Sequence, residues 1–247
     1  MAESDPGAVN RAAPTPRLAR SGGYQIAVRS ESFAATAAAY IAHKLRAMGE
    51  LETISIGLSG GRTPGPIYRR LAAWPDLPWA RTQIFFADER AVPATDPASN
   101  YRLAREGLLD RIPITPEAVH RMEAERPDLD RAAEEYDQRL PPRLDLLILG
   151  IGEDGHTASL FPGSTAVMED TRRVVPVEGP HEPRHRITIT PPVIGSARLV
   201  VVLAQGAAKA EAVNLALVKA GTPERCPARL ARHGVWILDR EALAGVP

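Results

Sequence analysis

The chain has 247 residues, of which 44% are hydrophobic and 24% charged, so it is long enough to bury a sizeable core. Thirty Lys and Arg residues balance thirty Asp and Glu residues, which argues against the broad basic surface of a nucleic-acid-binding protein. No run approaches the roughly 18 to 20 apolar residues that span a bilayer, and the polar, Pro-containing start lacks the apolar segment of a signal peptide. We therefore expect no membrane segment and a cytoplasmic location.

The first predicted unit is a tail. Residues 1–20 mix Pro, Ala, Ser, Gly and Arg without a sustained hydrophobic period, so they lack the apolar surface that would offset the entropy of ordering them. No internal repeat or long linker follows. The sequence therefore predicts a flexible tail over 1–20 and a single domain over 21–247.

Apolar runs of strand length alternate with segments of helical spacing from residue 24 onward. The predicted strands are 24–30, 53–58, 82–90, 144–150, 186–190, 197–206 and 234–239. The predicted helices are 32–48, 66–74, 100–112, 129–140 and 207–221. Such alternation is typical of parallel sheets, so we expect an α/β, Rossmann-like fold with a mostly parallel sheet flanked by helices on both faces.

A glycine-rich segment, residues 59–63 (SGGRT), follows one predicted strand and precedes a helix. Its glycines allow close backbone approach, and its N–H groups would lie at a helix N-terminus, which is a mechanism for binding an anion or phosphate. The segment lacks the GK[ST] ending of a Walker A motif. A tight strand-to-helix connection without a ligand is the alternative interpretation.

A second glycine-rich loop follows the predicted strand 144–150. It contains a literal G-x-G-x-x-G, but it lies past the middle of the chain and runs into Pro162, so we do not interpret it as a dinucleotide-binding motif. His156 lies beside Asp154 and Glu153 in this loop, where an imidazole near a carboxylate is suited to general acid–base chemistry. A structural or solvated histidine is the alternative.

Two further predicted strands end in charged residues. Asp88 and Arg90 lie at the end of the predicted strand 82–90, where they form either a site or a surface ion-pair cluster. Lys209 follows a strand and a glycine, where its ammonium could reach a phosphate or remain solvated.

Metal ligands are not indicated. The single Cys226 cannot form an intrachain disulfide or a Cys-based zinc site, and we interpret it as a small, partly buried side chain. The histidines other than His156 lack the spacing of a metal site.

These segments together resemble the 6-phosphogluconolactonase family, within the larger group that includes glucosamine-6-phosphate deaminases and ribose-5-phosphate isomerases. The resemblance covers about residues 24–240 and rests on ISIGLSGGRTP, FFADERAVPATDPASNY, LDLLILGIGEDGHTASLFPGS and RITITPPVIGSARLVVVLAQGAAKAEAV, in that order. Deaminases have sequences like GHIAFNEP and DEY where this chain has GHTASLFP and DER. Both differences favour the lactonase.

The resemblance implies hydrolysis of 6-phospho-D-glucono-1,5-lactone to 6-phospho-D-gluconate, the second step of the oxidative pentose phosphate pathway, without a metal or organic cofactor. It implies that His156 is the general base and that Asp154, or alternatively Glu153, holds the imidazole tautomer. Arg90, or backbone N–H groups of a glycine loop, would orient the substrate or offset the oxyanion charge. The positions implied for phosphate binding are Ser59, Gly60, Gly61, Arg62, Thr63, Lys209 and Arg186.

Two other functions remain open at this point. An amino-sugar phosphate deaminase or isomerase of the same fold would use Asp88 as its base. A sugar-phosphate sensor would need a DNA-binding module, for which the tail is too short. For partners, the resemblance implies a monomer or dimer, and a transient contact with glucose-6-phosphate dehydrogenase is conceivable. We expect no nucleic-acid partner.

Overall fold

The computed structural model of the protein describes residues 17–18, 24–28, 32–244 and 246. The strands are β1 (Arg17–Leu18), β2 (Tyr24–Val28), β3 (Ile54–Leu58), β4 (Thr82–Phe86), β5 (Asp88–Arg90), β6 (Leu146–Gly150), β7 (Val174–Glu178), β8 (His185–Ile189), β9 (Val200–Ala204) and β10 (Val235–Asp239). The helices are α1 (Phe33–Ala47), α2 (Pro64–Ala72), α3 (Asn100–Gly107), α4 (Leu129–Arg139), α5 (Pro191–Ser196) and α6 (Ala210–Leu217).

Seven strands form a central sheet in the order β1-β2-β10-β9-β6-β3-β4. All neighbouring strands in it are parallel except the short β1, which is antiparallel to β2. Every residue of β3, β9 and β10 is buried, although successive side chains point to opposite faces. Both faces of the sheet are therefore covered, and the predicted parallel α/β fold is confirmed.

A second, three-stranded antiparallel sheet has the order β5-β8-β7 and was not predicted. The predicted strand 82–90 is in fact two strands, which separate at Ala87. The Ala87 N–H donates to the carbonyl of Leu58 in the central sheet, and the Ala87 carbonyl accepts from Ile189 N–H in the small sheet, both at 2.8 Å. One peptide segment therefore joins the two sheets.

Proline explains why two elements escaped prediction. The strand β7 contains Pro176, which lowers the expectation of a strand, but β7 is an edge strand and needs no N–H donor at every position. The helix α5 begins with Pro191 and Pro192, which are tolerated in a first helical turn.

Two predicted helices are shorter than expected. The predicted helix 100–112 ends at Gly107 and continues as a 3-10 helix over Leu109–Arg111. The predicted helix 207–221 begins as a 3-10 helix over Ala207–Lys209 and is α-helical only over Ala210–Leu217.

The predicted tail over 1–20 lies outside the described residues, except for Arg17 and Leu18. These two residues pair with Gln25 and Tyr24 as β1, and the prediction of a tail over 1–20 stays a prediction. Among the described helices, none is both long and apolar enough to cross a membrane.

The parallel strands bring four loops to one edge of the central sheet. The loops that follow β3, β4, β6 and β9 begin where neighbouring strands end, as open α/β sheets require of their binding sites. The small sheet begins directly after β4, so its strands border the same edge.

Candidate active site

A cleft of about 540 Å³ opens at this edge between the central and the small sheet. All the predicted site residues except Asp154 line it, namely Ser59, Gly60, Gly61, Arg62, Thr63, Arg90, His156, Arg186 and Lys209. Asp88, proposed only for the rival deaminase chemistry, lines it as well. The cleft therefore brings together residues that are up to 150 positions apart in the chain (from 59 to 209).

Buried hydrogen bonds from Ser59 to β6 and α2 fix the loop after β3. The buried Ser59 hydroxyl donates to the carbonyl of Ile148 at 2.7 Å, and the buried Tyr68 hydroxyl donates to the Ser59 carbonyl at 2.7 Å. The Tyr68 hydroxyl also accepts from Ser59 N–H at 3.1 Å. Gly61 has φ of 96°, a conformation that favours glycine.

Four successive N–H groups of this loop face no protein acceptor within the described part of the chain: Gly60, Gly61, Arg62 and Thr63. They immediately precede α2, whose N-terminus adds a partial positive charge. Unpaired N–H groups at a helix N-terminus form an anion-binding cradle.

Ser59 differs from its predicted use as a phosphate donor. Its hydroxyl proton is directed to Ile148, and its N–H is directed to Tyr68. Neither donor is left for a ligand, so Ser59 supports the loop. The sequence shows that Ser59 belongs to the glycine-rich motif. It does not show that Ile148, which lies 89 residues away, is the hydrogen-bond partner of Ser59.

His156 and Asp154 form a hydrogen-bonded pair. The His156 Nδ1 lies 2.6 Å from the Asp154 Oδ1, and the same oxygen accepts from His156 N–H at 3.1 Å. Partial burial disfavours the charged carboxylate, but the hydrogen bond and charge of His156 outweigh it and hold the pKa of Asp154 below its ordinary value. An ionised carboxylate at Nδ1 favours the tautomer with the proton on that nitrogen, which leaves Nε2 as a lone-pair base.

Glu153 is directed elsewhere. Its Oε1 lies 3.9 Å from the Lys209 ammonium, which is at the other side of the loop. Burial lowers the pKa of Lys209, and the Glu153 carboxylate offsets only part of that effect. Of the two acids that the sequence left open, Asp154 is the one in contact with the imidazole.

Gly152 makes this pair possible. A Cβ at Gly152 would lie 2.1 Å from His156 Nδ1 and 2.4 Å from Asp154 Oδ1. Gly152 N–H also donates to the His156 carbonyl at 2.8 Å, which closes the loop tightly. Only a residue without a side chain fits beneath the two side chains.

Arg90 and Arg186 are directly opposite each other in the small sheet, as a cross-strand pair of β5 and β8. Like charges in that position destabilise a sheet unless something offsets them. Neither guanidinium has a carboxylate oxygen within 4.0 Å among the described residues. Burial, and then the charge of Arg90, lower the pKa of Arg186.

Both arginines keep unused donors toward the cleft. Arg186 is 7% exposed and donates to the carbonyls of Pro183 and His181, which leaves part of its donor set free. Arg90 donates to Ala98, but its buried Nε has no hydrogen-bond partner within the described ranges. The two guanidinium groups therefore give this wall of the cleft a positive charge that suits an anionic ligand.

An acidic network behind the cleft was missed by the sequence analysis. The Asp88 carboxylate accepts from Asn100 Nδ2 at 2.9 Å and from Ser159 Oγ at 2.7 Å. Burial raises the pKa of Glu89, while N–H groups of α3 and of Arg90 and the Ser99 hydroxyl counteract it. Glu89 therefore caps α3 and holds the strand that carries Arg90. The only sequence signal for this was the helix cap at Ser99.

A second cavity of about 760 Å³ adjoins the cleft, with Asp154 and Phe161 in its wall. Its charged side chains are largely paired with one another, Arg184 with Glu178 at 2.8 Å and Arg172 with Glu169 at 2.7 Å. For metals, no group of three or more His, Cys, Asp and Glu side chains with suitable geometry occurs in the described residues.

Comparisons with known proteins agree on one family. Residues 29–238 match the family described as glucosamine-6-phosphate isomerases/6-phosphogluconolactonase. A 6-phosphogluconolactonase of Synechocystis sp. is 36% identical over 210 residues, which are 80% of this chain and 86% of the relative.

Solved structures extend the comparison. The structure of 6-phosphogluconolactonase from Trypanosoma brucei aligns with a TM-score of 0.77 and 30% identity, over 90% of this chain and 98% of that one. A monomeric glucosamine-6-phosphate deaminase, 22% identical, aligns with a TM-score of 0.79 over 89% of this chain and 98% of its own, and shares the fold. The chain belongs to the glucosamine-6-phosphate isomerase/6-phosphogluconolactonase family.

Proposed function

We propose that this chain hydrolyses 6-phospho-D-glucono-1,5-lactone to 6-phospho-D-gluconate, the second step of the oxidative pentose phosphate pathway. The chain is a sugar-lactone hydrolase, as the 36% to 39% identity to 6-phosphogluconolactonases over most of its length supports. The observation that carries the mechanism is the His156–Asp154 pair at a strand end, in the same cleft as an anion cradle.

The first chemical step uses the free nitrogen of His156. Because Nδ1 bonds to Asp154, Nε2 takes a proton from a water molecule while the water oxygen forms a bond to the lactone C1. The carbonyl electron pair moves to oxygen and gives a tetrahedral oxyanion. A positioned base of this kind contributes about 10² to 10⁴-fold.

The second step opens the ring. The oxyanion reforms the carbonyl, the bond from C1 to the ring oxygen breaks, and the imidazolium of His156 gives its proton to that oxygen. The Asp154 carboxylate stabilises the imidazolium between the two steps. The new carboxylic acid then loses its proton to solvent.

The phosphate binds at the loop after β3. The N–H groups of residues 60–63, the N-terminus of α2 and the ammonium of Lys209 supply the positive potential there. The exposed Arg62 side chain contributes least, because water screens it. Arg186 adds a buried guanidinium from the other wall.

Arg90 orients the reacting end of the substrate. It lines the cleft and has no carboxylate oxygen within 4.0 Å in the described part of the molecule, so its positive charge is available to a substrate oxygen. A donor that is fixed in advance at a developing oxyanion is worth roughly 2.7 to 4 kcal/mol. Glu89, through its bond to Arg90 N–H, holds this strand in place.

A coupled assay tests the proposal. The lactone is generated with glucose-6-phosphate dehydrogenase, and NADPH formed by 6-phosphogluconate dehydrogenase is followed with this protein, with His156→Ala and without either. We expect wild-type acceleration well above spontaneous hydrolysis and a loss of at least about 100-fold in the variant. A correctly folded variant with near-wild-type turnover would remove His156 from the mechanism.

The second candidate, amino-sugar phosphate deamination, is favoured only by the buried Asp88 in the cleft wall. Release of ammonia from glucosamine 6-phosphate, lost in Asp88→Asn, would support it. We infer a cytoplasmic enzyme that is monomeric or dimeric, and size-exclusion chromatography with light scattering tests the oligomeric state. A transient contact with glucose-6-phosphate dehydrogenase stays a prediction.

A further inference from the structure

Phe161 connects the two halves of the cleft, although the mechanism above gives it no role. Its ring centroid lies 4.9 Å from that of His156, and the Arg186 guanidinium carbon lies over the same ring, 5.4 Å from its centroid. Phe161 and Arg186 are 6% and 7% exposed, so their contact is shielded from bulk water, whereas the His156 side chain is 33% exposed. One aromatic ring therefore contacts both the candidate base and the buried candidate phosphate ligand.

The ring is held in this position by its surroundings. A Cβ at Gly179 would lie 3.1 Å from Phe161 Cε2 and Cζ, and 3.1 Å from Arg186 Nε. The chain at Gly179 thus packs closely against the junction of the ring and the guanidinium.

The electrostatics of the ring suit both neighbours. An aromatic face carries a negative potential that attracts a cation within about 6 Å, more strongly where water is excluded. Arg186 is a permanent cation without a carboxylate partner within 4.0 Å in the described ranges. His156 is a cation only between proton uptake and proton release.

We propose that Phe161 is a positioning residue for this reaction: its π face holds Arg186 in place for the substrate phosphate and stabilises the His156 imidazolium during turnover. The inference rests on the proposed function of both partners. It predicts two separable effects, on KM through Arg186 and on kcat through His156.

Fluorination of the ring tests the proposal, because added fluorine atoms withdraw π electron density while the ring remains. Phe161 is replaced by 4-fluoro-, 3,5-difluoro- and 3,4,5-trifluorophenylalanine, in which fluorine adds little volume to the ring. We expect KM to rise and kcat to fall progressively with fluorine number, by roughly 3- to 30-fold in total, the range to which cation–π energies convert.

Two natural substitutions complete the series. Phe161→Leu keeps apolar volume but removes the ring, so it is expected to be at least as impaired as the trifluoro variant. Phe33→Leu is the matched control, since Phe33 is 1% exposed in α1 and belongs to the hydrophobic core. It should lower the free energy of unfolding without changing KM.

The outcomes separate the proposals. Kinetic constants that do not change with the number of fluorine atoms would overturn the role of the π face. A wild type without lactonase activity would instead overturn the proposed function. In that case, calorimetric affinity for 6-phosphogluconate across the same series still tests the link between Phe161 and Arg186, and a flat series refutes it.

Discussion

The two sides of the cleft are built in different ways. The central sheet supplies backbone donors and a histidine pair on glycine-rich loops, whereas the small sheet supplies two guanidinium groups on paired strands. The first side depends on residues that have no side chain, such as Gly61 and Gly152. The second depends on strand register. In the proposed site, local backbone geometry thus positions the donors on one side, and strand pairing between distant segments positions them on the other.

The largest effect is expected from Gly152→Ala, which tests the side that depends on missing side chains. The new methyl group would lie 2.1 Å from His156 Nδ1, so the imidazole or the carboxylate must move. Because a 1 Å displacement can cost about 100-fold, we expect kcat to fall by about that factor or more.

The control for this substitution is Gly195→Ala in α5, where an added Cβ meets nothing within 4 Å. It should retain activity. If Gly152→Ala kept its kcat as well, the tight packing of the pair would not matter for catalysis.

A smaller effect is expected from Asp154→Asn, which keeps the shape of the pair and removes its charge. We expect kcat to fall by roughly 10- to 100-fold, less than the 10⁴-fold known for a buried triad aspartate, since the Asp154 side chain is 44% exposed. Stopped-flow or coupled assays measure this directly. An unchanged kcat would show that His156 does not need the charge of Asp154 for catalysis.

The pH dependence of that effect follows from the sign of the shift. The pKa of Asp154 is lowered from 3.8, so its carboxylate stays charged at all higher pH values and is lost only as pH falls through the lowered pKa. The Asp154 carboxylate should thus add no pH dependence of its own to the ratio of wild-type to variant kcat between about pH 6 and pH 8. A ratio that changes there would indicate another titrating group.

On the side of the small sheet, Arg186→Met is expected to raise KM roughly tenfold with a smaller change in kcat, as loss of a charged hydrogen bond to a bound phosphate should. The free energy of unfolding should stay equal or rise by about 0.2 to 1 kcal/mol, since Arg90 loses a like-charged neighbour. Arg184→Met is the control, because its charge is 53% exposed and paired with Glu178. Equal KM changes in both variants would contradict a specific role.

The smallest effect is expected from Ser59→Ala. Its hydroxyl bonds to Ile148 and not to a ligand, so KM should change by less than about threefold, while the free energy of unfolding drops by about 1 kcal/mol. Urea unfolding and initial rates measure both. A large rise in KM with an unchanged free energy of unfolding would indicate that the Ser59 hydroxyl binds the substrate phosphate.

The sequence predicted the side of the cleft that is encoded locally. The β-branched runs of β3 and β9 and the glycines after them are readable in short windows, because strand, turn and helix each leave a pattern. The choice between Glu153 and Asp154 was not readable, since both lie within three residues of His156 and only the folded loop directs one of them to the ring.

The other side depends on distant residues and was predicted only in part. Arg90 and Arg186 are 96 positions apart, and their pairing follows from a sheet that contains the unpredicted β7. Phe161 was visible only as an apolar residue in a motif. Its contacts with His156 and Arg186 exist only after the two sheets meet.

The chain length at Ala87 determines which side chains of β5 face the cleft. Since side chains alternate along a strand, Asp88 and Arg90 face the cleft while Glu89 faces α3. Inserting one residue at Ala87 would reverse that alternation and exchange a guanidinium for a carboxylate in the wall. A change of chain length at this position is therefore also a change of the charge that faces the cleft.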